Sequence, residues 1–248
     1  AALCLYRLTR KSPEEYRVSL RCIQLNPFML RQIITNGLPA GIQNSVISIA
    51  NVFIQSNINS FGKIAMAGCG AYSKVEGFAA LPVTCFSMAL TTFISQNLGA
   101  GKYDRVKKGA RFGVLCGMTL TELIGLVLYV TMPVLISFFN NDPEVIAYGT
   151  KQAHIITPFY FLMAYSHCTA GIMRGAGKSS VPMFVMLVCW CLLRVPYVSI
   201  AIHINPVIEM VFWAYPITWT LSGILFFIYY HRADWMHGLE RQKERHYR

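Results

Sequence analysis

Two glutamates stand where a charge is costly to place. Glu76, in AYSKVEGF, and Glu122, in TLTELIG, lie inside long apolar runs. A charge at the middle of a lipid-embedded helix costs roughly 2.5–3.5 kcal/mol on the insertion scale, so such residues are functional candidates by default. A carboxyl group there can take up a proton, a metal cation or an organic cation and give it back. Glu76 is the first candidate: it precedes Gly77 and lies one to two turns before Pro82, where an irregular helix would open its backbone to ions. Its structural alternative is a pairing with Lys74 or a place at the outer interface. Glu122 is flanked by Thr119 and Thr121, and its alternative is a satisfied structural carboxyl. Arg194, just before Val195-Pro196, is with Lys74 a charge-pair candidate; it either neutralises a glutamate or snorkels outward.

A second pattern is a polar stripe. Asn44, Ser48, Asn51, Gln55 and Asn59 recur every three or four residues. On a helix of 3.6 residues per turn they line one face over about four turns. Lipid cannot hydrogen-bond four amides, so this face turns inward. It forms either the wall of a watery cavity that contacts substrate or a seam of interhelical hydrogen bonds, each worth only about 0.6 kcal/mol. Tyr160 and His167 are seven apart and share a face. The histidine is placed either as a proton relay or as a hydrogen-bonded packing residue. Trp213, Tyr215, Trp219, Tyr229 and Tyr230 read as interfacial belt and packing.

The tetrapeptide GAGK occurs twice, at Gly99–Lys102 and Gly175–Lys178, and suggests phosphate chemistry. The spacing rejects it. A phosphate loop needs G-x-x-x-x-G-K-[ST], but Gln96 and Ile172 stand where the first glycine belongs, and Tyr103 stands where one copy needs its hydroxyl. Both copies instead suit a helix that ends through a left-handed glycine. The eight cysteines form no disulfide framework and no metal-ligand spacing. Cys69, Cys85, Cys116, Cys168, Cys189 and Cys191 lie in apolar runs and read as small buried hydrophobes. No cofactor is expected.

The elements that must position these groups are membrane helices. Only 13% of the 248 residues are charged and 54% are hydrophobic, where soluble domains carry about 25% charge. Apolar stretches of spanning length fall at about 33–61, 66–96, 112–139, 152–173, 181–202 and 207–231. Spans must satisfy their backbone internally, so each is a helix; Pro82 predicts a kink or an interfacial first turn in the second. Of the 22 lysines and arginines, eighteen fall on one side of this six-span order, Arg174 and Lys178 among them, and two, Lys63 and Lys151, on the other. By the positive-inside rule the first side, with both chain ends, is cytoplasmic. The net charge of +11 therefore requires no nucleic acid. The basic stretch 233–248 is expected to be a solvated tail near anionic lipid.

Four motifs in this order resemble one family: GLPAGIQNSV (Gly37–Val46), NLGAGKYDRVKKGAR (Asn97–Arg111), GIMRGAGKSSVP (Gly171–Pro182) and WAYPITWTLSGILFFIYY (Trp213–Tyr230). Together they resemble the C-terminal half of multidrug and toxic compound extrusion (MATE) transporters. The resemblance implies an all-α membrane protein: a six-helix lobe, 32–232, of a twelve-helix, two-lobe transporter. Residues 1–31 would be the end of a preceding helix, Ala1–Leu8, and an inter-lobe linker, Thr9–Arg31. It further implies export of amphipathic or cationic compounds, driven by H⁺ or Na⁺ through alternating access, from the plasma membrane and in partnership with an N-terminal six-helix lobe. Several members carry an acidic residue in the helices matching 33–61 or 152–173, and neither stretch has one here. Two other readings are a relative that flips lipid-linked sugars and a membrane module that only packs against a partner. The first wants several cations in the cavity; the second has little use for a polar stripe.

Overall fold

Glycine fixes the ends of two helices, and the rest of the bundle can be read outward from them. The computed structural model describes residues 6–7, 9–10 and 26–236. The expected helix tail and linker over 1–31, and the tail beyond 236, fall largely outside these residues. Residues 1–35 and 36–248 form separate compact units. Asn26 accepts the Met29 N–H at 3.4 Å at the start of helix α1 (Pro27–Asn59), with Pro27 at the position where its missing N–H costs nothing. Helices α2 (Lys63–Gly99), α3 (Tyr103–Ser137), α4 (Pro143–Ile156), α5 (Tyr160–Gly175), α6 (Ser180–Met186), α7 (Arg194–Ile204) and α8 (Glu209–Arg232) follow. All regular structure among the described residues is helical.

The two GAGK stretches end α2 and α5 in the same way. Gly101 has φ +69° and Gly177 φ +74°. Lys102 N–H donates to Asn97 O and Lys178 N–H to Met173 O, both at 2.9 Å; Gly101 and Gly177 donate to Leu98 O and Arg174 O at 3.0 Å. This is the Schellman pattern of a helix closed by a left-handed glycine. The left-handed exit expected from the sequence is present twice.

Five helical stretches are long and apolar enough to cross a membrane: α1 from Met29, α2, α3, the run Ser180–Ile204 and α8. The fourth expected span, 152–173, is not one helix. A 3₁₀ turn, Thr157–Phe159, separates α4 from α5 at Pro158, whose nitrogen has no hydrogen to donate. The fifth, 181–202, widens to a π segment over Leu187–Leu193, just ahead of Pro196. A proline ring clashes with the carbonyl four residues earlier, here Leu192, and the wider turn relieves that clash. Pro82, by contrast, lies inside an unbroken α2. The irregularities expected beside Glu76 are instead at Pro158 and before Pro196.

Small residues bring the helices together. On α3, Gly109, Gly113, Gly117, Thr121 and Gly125 recur every four residues. Added methyl groups at the glycines would strike Phe93, Leu90, Cys168 and the Thr157 carbonyl in turn. On α5, Gly171 and Gly175 meet α2: a Cβ at Gly171 would strike the Ser87 carbonyl, and one at Gly175 would lie 2.6 Å from the Thr91 carbonyl. Ser87 and Thr91 hydroxyls donate across this seam to His167 O at 2.7 Å and Gly171 O at 3.0 Å. Lipid gives no hydrophobic drive for helices to associate, so this close fit and these bonds supply it. Three of the six apolar cysteines, Cys69, Cys168 and Cys189, are buried as expected; Cys116 and Cys191 are half-buried, and Cys85 lies on the outer surface.

Candidate functional site

The bundle's interior holds a polar cluster built from four elements. Tyr72 and Glu76 are four apart on α2 and so share a face. Tyr160 is the first residue of α5, set there by the break at Pro158. Trp190 and Arg194 are four apart across the π segment, and Tyr215, Thr218, Trp219 and Ser222 line one side of α8. Tyr72 and Tyr160 share a hydrogen bond between hydroxyls at 3.0 Å. The Glu76 carboxylate faces the Tyr72 hydroxyl and lies in the field of Arg194.

Arg194 is 1% exposed and turns inward, so the outward-snorkelling alternative does not hold. Its Nε and Nη2 both donate to Thr218 Oγ1, at 3.1 and 2.5 Å. Its guanidinium carbon lies 4.9 Å from the Trp190 ring centre and 4.7 Å from that of Tyr215. Cation–π contacts are worth about 2 kcal/mol or more when desolvated, which offsets part of the burial cost. Trp190 Nε1 donates to Ser222 Oγ at 3.3 Å, and Ser222 bonds Ser166 at 3.0 Å.

The other sequence candidates are dispersed. Lys74 does not pair with Glu76; its ammonium reaches over the Phe139 ring at 5.4 Å. Among the described residues the ion pair within 4 Å is Lys151–Glu209, at 2.6 Å. Glu122 has a structural partner: Oε2 accepts the Phe161 N–H at 3.0 Å, at the first turn of α5 where Pro158 has broken the helix. His167 sets its ring edge-on to Trp190, 5.5 Å between centres.

The stripe on α1 keeps its common face. Asn44, Ser48, Asn51 and Asn59 lie on the surface and Gln55 is half-buried. Its side-chain bonds stay within the helix: Ser48 to Asn44 O at 2.9 Å and Gln55 to Asn59 at 3.0 Å. One residue round, Gln43, Ala50, Ile54 and Ile58 form the packed face, while Ile49 and Val52 point outward on the third.

Sequence reasoning missed three features. Arg174, counted among the loop cations, is a half-buried helical residue whose Nη2 donates to Ser87 Oγ at 3.0 Å and whose Nη1 reaches Gln43 Oε1 at 3.5 Å. Gln43 is 3% exposed and also donates to Met186 Sδ at 2.7 Å. Trp190, not singled out from the sequence, joins Tyr215 and Trp219 in an inner aromatic group, which places those two on the packing side of the belt-and-packing reading. The available signal was spacing: Tyr215, Thr218, Trp219 and Ser222 recur at helical intervals, as do Tyr72 with Glu76 and Trp190 with Arg194.

Comparison with known proteins agrees with this architecture. The MatE family profile matches residues 39–200. A probable multidrug resistance protein of Bacillus subtilis, YoeA, is 23% identical over 92% of this chain and 50% of its own length. A Shewanella oneidensis protein named FAD transporter is 27% identical over 75% of this chain and 41% of its own. A solved outward-facing multidrug resistance MATE transporter superposes with a TM-score of 0.84 at 16% identity, over 97% of this chain and 54% of that one. The chain thus spans about half the length of the relatives it matches.

Proposed function

The chain belongs to the MATE family of membrane transporters, and from that premise we propose that it forms one half, a six-span lobe, of a secondary active efflux antiporter. Its cargo is a class of amphipathic or cationic compounds, exchanged by alternating access against inward H⁺ or Na⁺. The striped face of α1, with its amides and serine, forms part of the cavity wall, and a second lobe supplies the facing wall. The end of the bundle carrying both GAGK turns is cytoplasmic, in the plasma membrane of the cell.

The carrying observation is the placement of Glu76. Among the described acidic residues, Glu76 and Glu122 are the two set inside the bundle, and Glu122 is committed to a backbone N–H. Glu76 instead faces a hydroxyl and a guanidinium that is not in ion-pair contact. A carboxylate so held can exchange its partner, which is what coupling needs. In the whole transporter, reconstituted in proteoliposomes with an imposed pH or Na⁺ gradient, Glu76→Gln should slow ethidium export by about tenfold or more, the loss of an interaction made only in the coupled step. Asn51→Ala should slow it less. Equal or negligible losses would remove Glu76 from the mechanism.

A second reading concerns anionic cargo. It is favoured by the inward turn of Arg174 and by the relative named FAD transporter. In that case the guanidinium would receive a phosphate. FAD competing with ethidium in the same vesicles, and ceasing to compete in Arg174→Gln, would move the reading there.

A further inference from the structure

The group formed by Trp190, Tyr215 and Trp219 holds a positive charge, and that charge belongs to the protein itself. The Arg194 guanidinium lies 4.9 Å from one ring and 4.7 Å from another, on two different elements. Trp219 packs against both of these rings, 6.5 Å from Trp190 and 5.9 Å from Tyr215, and Tyr160 lies 6.2 Å beyond. Ring faces gathered around a cation are the recognition chemistry of quaternary ammonium and guanidinium groups. We propose that this aromatic box is a binding site for soluble organic cations, which Arg194 fills as a tethered stand-in and vacates when one enters.

Three observations carry this. First, Arg194 is held without a carboxylate in contact. Its hydrogen bonds go to one neutral oxygen, Thr218 Oγ1, which is itself engaged with the Ala214 carbonyl at 2.8 Å. A bidentate carboxylate would fix a guanidinium far more firmly; here the charge is kept by rings that any cation can use. Second, Trp219 is 2% exposed, yet its indole N–H has no partner. An unmet buried donor in the same cluster is a place for an acceptor carried by a guest or a water. Third, Arg194 follows directly on the π segment Leu187–Leu193. Moving such a bulge past a residue turns that residue's side chain by about 100° around the helix axis, and Arg194 is the next in line, which gives the arginine a route out. Glu76, already in the field of Arg194, is placed to receive the displaced charge.

The inference rests on the efflux reading, because it names how a cationic cargo would enter. Its test needs neither a gradient nor transport. The purified chain is treated with phenylglyoxal in tetramethylammonium chloride or in potassium chloride of equal ionic strength. Modification of Arg194 is then read by peptide mass against the exposed Arg105. Arg194 should be protected in potassium and modified several-fold more in tetramethylammonium. Equal modification in both salts overturns the proposal, and with export intact in the whole transporter it removes this exchange of occupants alone. An Arg194→Met chain provides the second reading. With the box empty, tetramethylammonium should raise its melting temperature more than it raises that of the unsubstituted chain. A folded Arg194→Met chain that gains nothing counts against the site. Should Arg194→Met not fold, the labelling of the unsubstituted chain decides.

Discussion

At the scale of single residues, the two interior glutamates differ in what they hold. Glu122 serves the backbone: Pro158 breaks the rod, and the carboxylate accepts the Phe161 N–H at the new helix start. Removing that acceptor leaves a part-buried donor unmet, at the low end of about 1–3 kcal/mol. Glu122→Leu should therefore lower the melting temperature of the chain, whereas Glu122→Gln, which keeps an acceptor oxygen, should leave both stability and export close to their original values. A large loss of export in a stable Glu122→Gln protein would give this residue a share of the coupling. The sequence showed that both glutamates were costly, because the cost depends only on the surrounding apolar run. It did not separate them, because their partners lie on other helices, 39 residues away in the case of Phe161. Lys74 shows the same limit: two residues from Glu76 in sequence, it sits on another face and reaches toward Phe139.

At the scale of helices, the seam between α2 and α5 depends on what α5 lacks. Gly171 and Gly175 let the Ser87 and Thr91 carbonyls approach to where a side chain would be. Overfilling such a contact costs about 1–3 kcal/mol. Gly175→Val should lower the melting temperature by more than Gly70→Ala does, since a Cβ at Gly70 meets nothing within 4 Å. Similar shifts for both would show that the seam does not limit stability. Span positions were legible because apolar length is a local property, and the glycine exits were legible because their conformation is set by their own residues. The broken rod at Pro158 and the widened turn before Pro196 were not foreseen. A proline constrains only its own turn, and whether a helix bends, breaks or continues depends on partners such as Glu122. Pro82 carries the same constraint in an α2 that stays whole.

At the scale of the molecule, the proposed cavity wall on α1 needs another wall to face it. The stripe on α1 is open, and its side chains bond only within their own helix. Liposomes holding this chain alone should show no drug-dependent proton flux; flux in such vesicles would mean that the chain closes a pathway without a partner. The stripe's common face could be read from spacing alone, but the aromatic box could not, because it draws on two elements distant in sequence. Gly101 and Gly177 stand 76 residues apart, and the same interval joins Pro82 to Pro158 and Glu76 to Gln152. Two stretches of the chain thus carry a proline and a polar side chain at the same intervals before their closing glycine. In α2 the rod is unbroken and carries Glu76; in α4–α5 it breaks at its proline, and the matching position holds Gln152, a buried amide whose oxygen has no partner. A break in the rod and a charge thus stand in different stretches, each at a distance from its turn that the other stretch matches, and each free of the other's task.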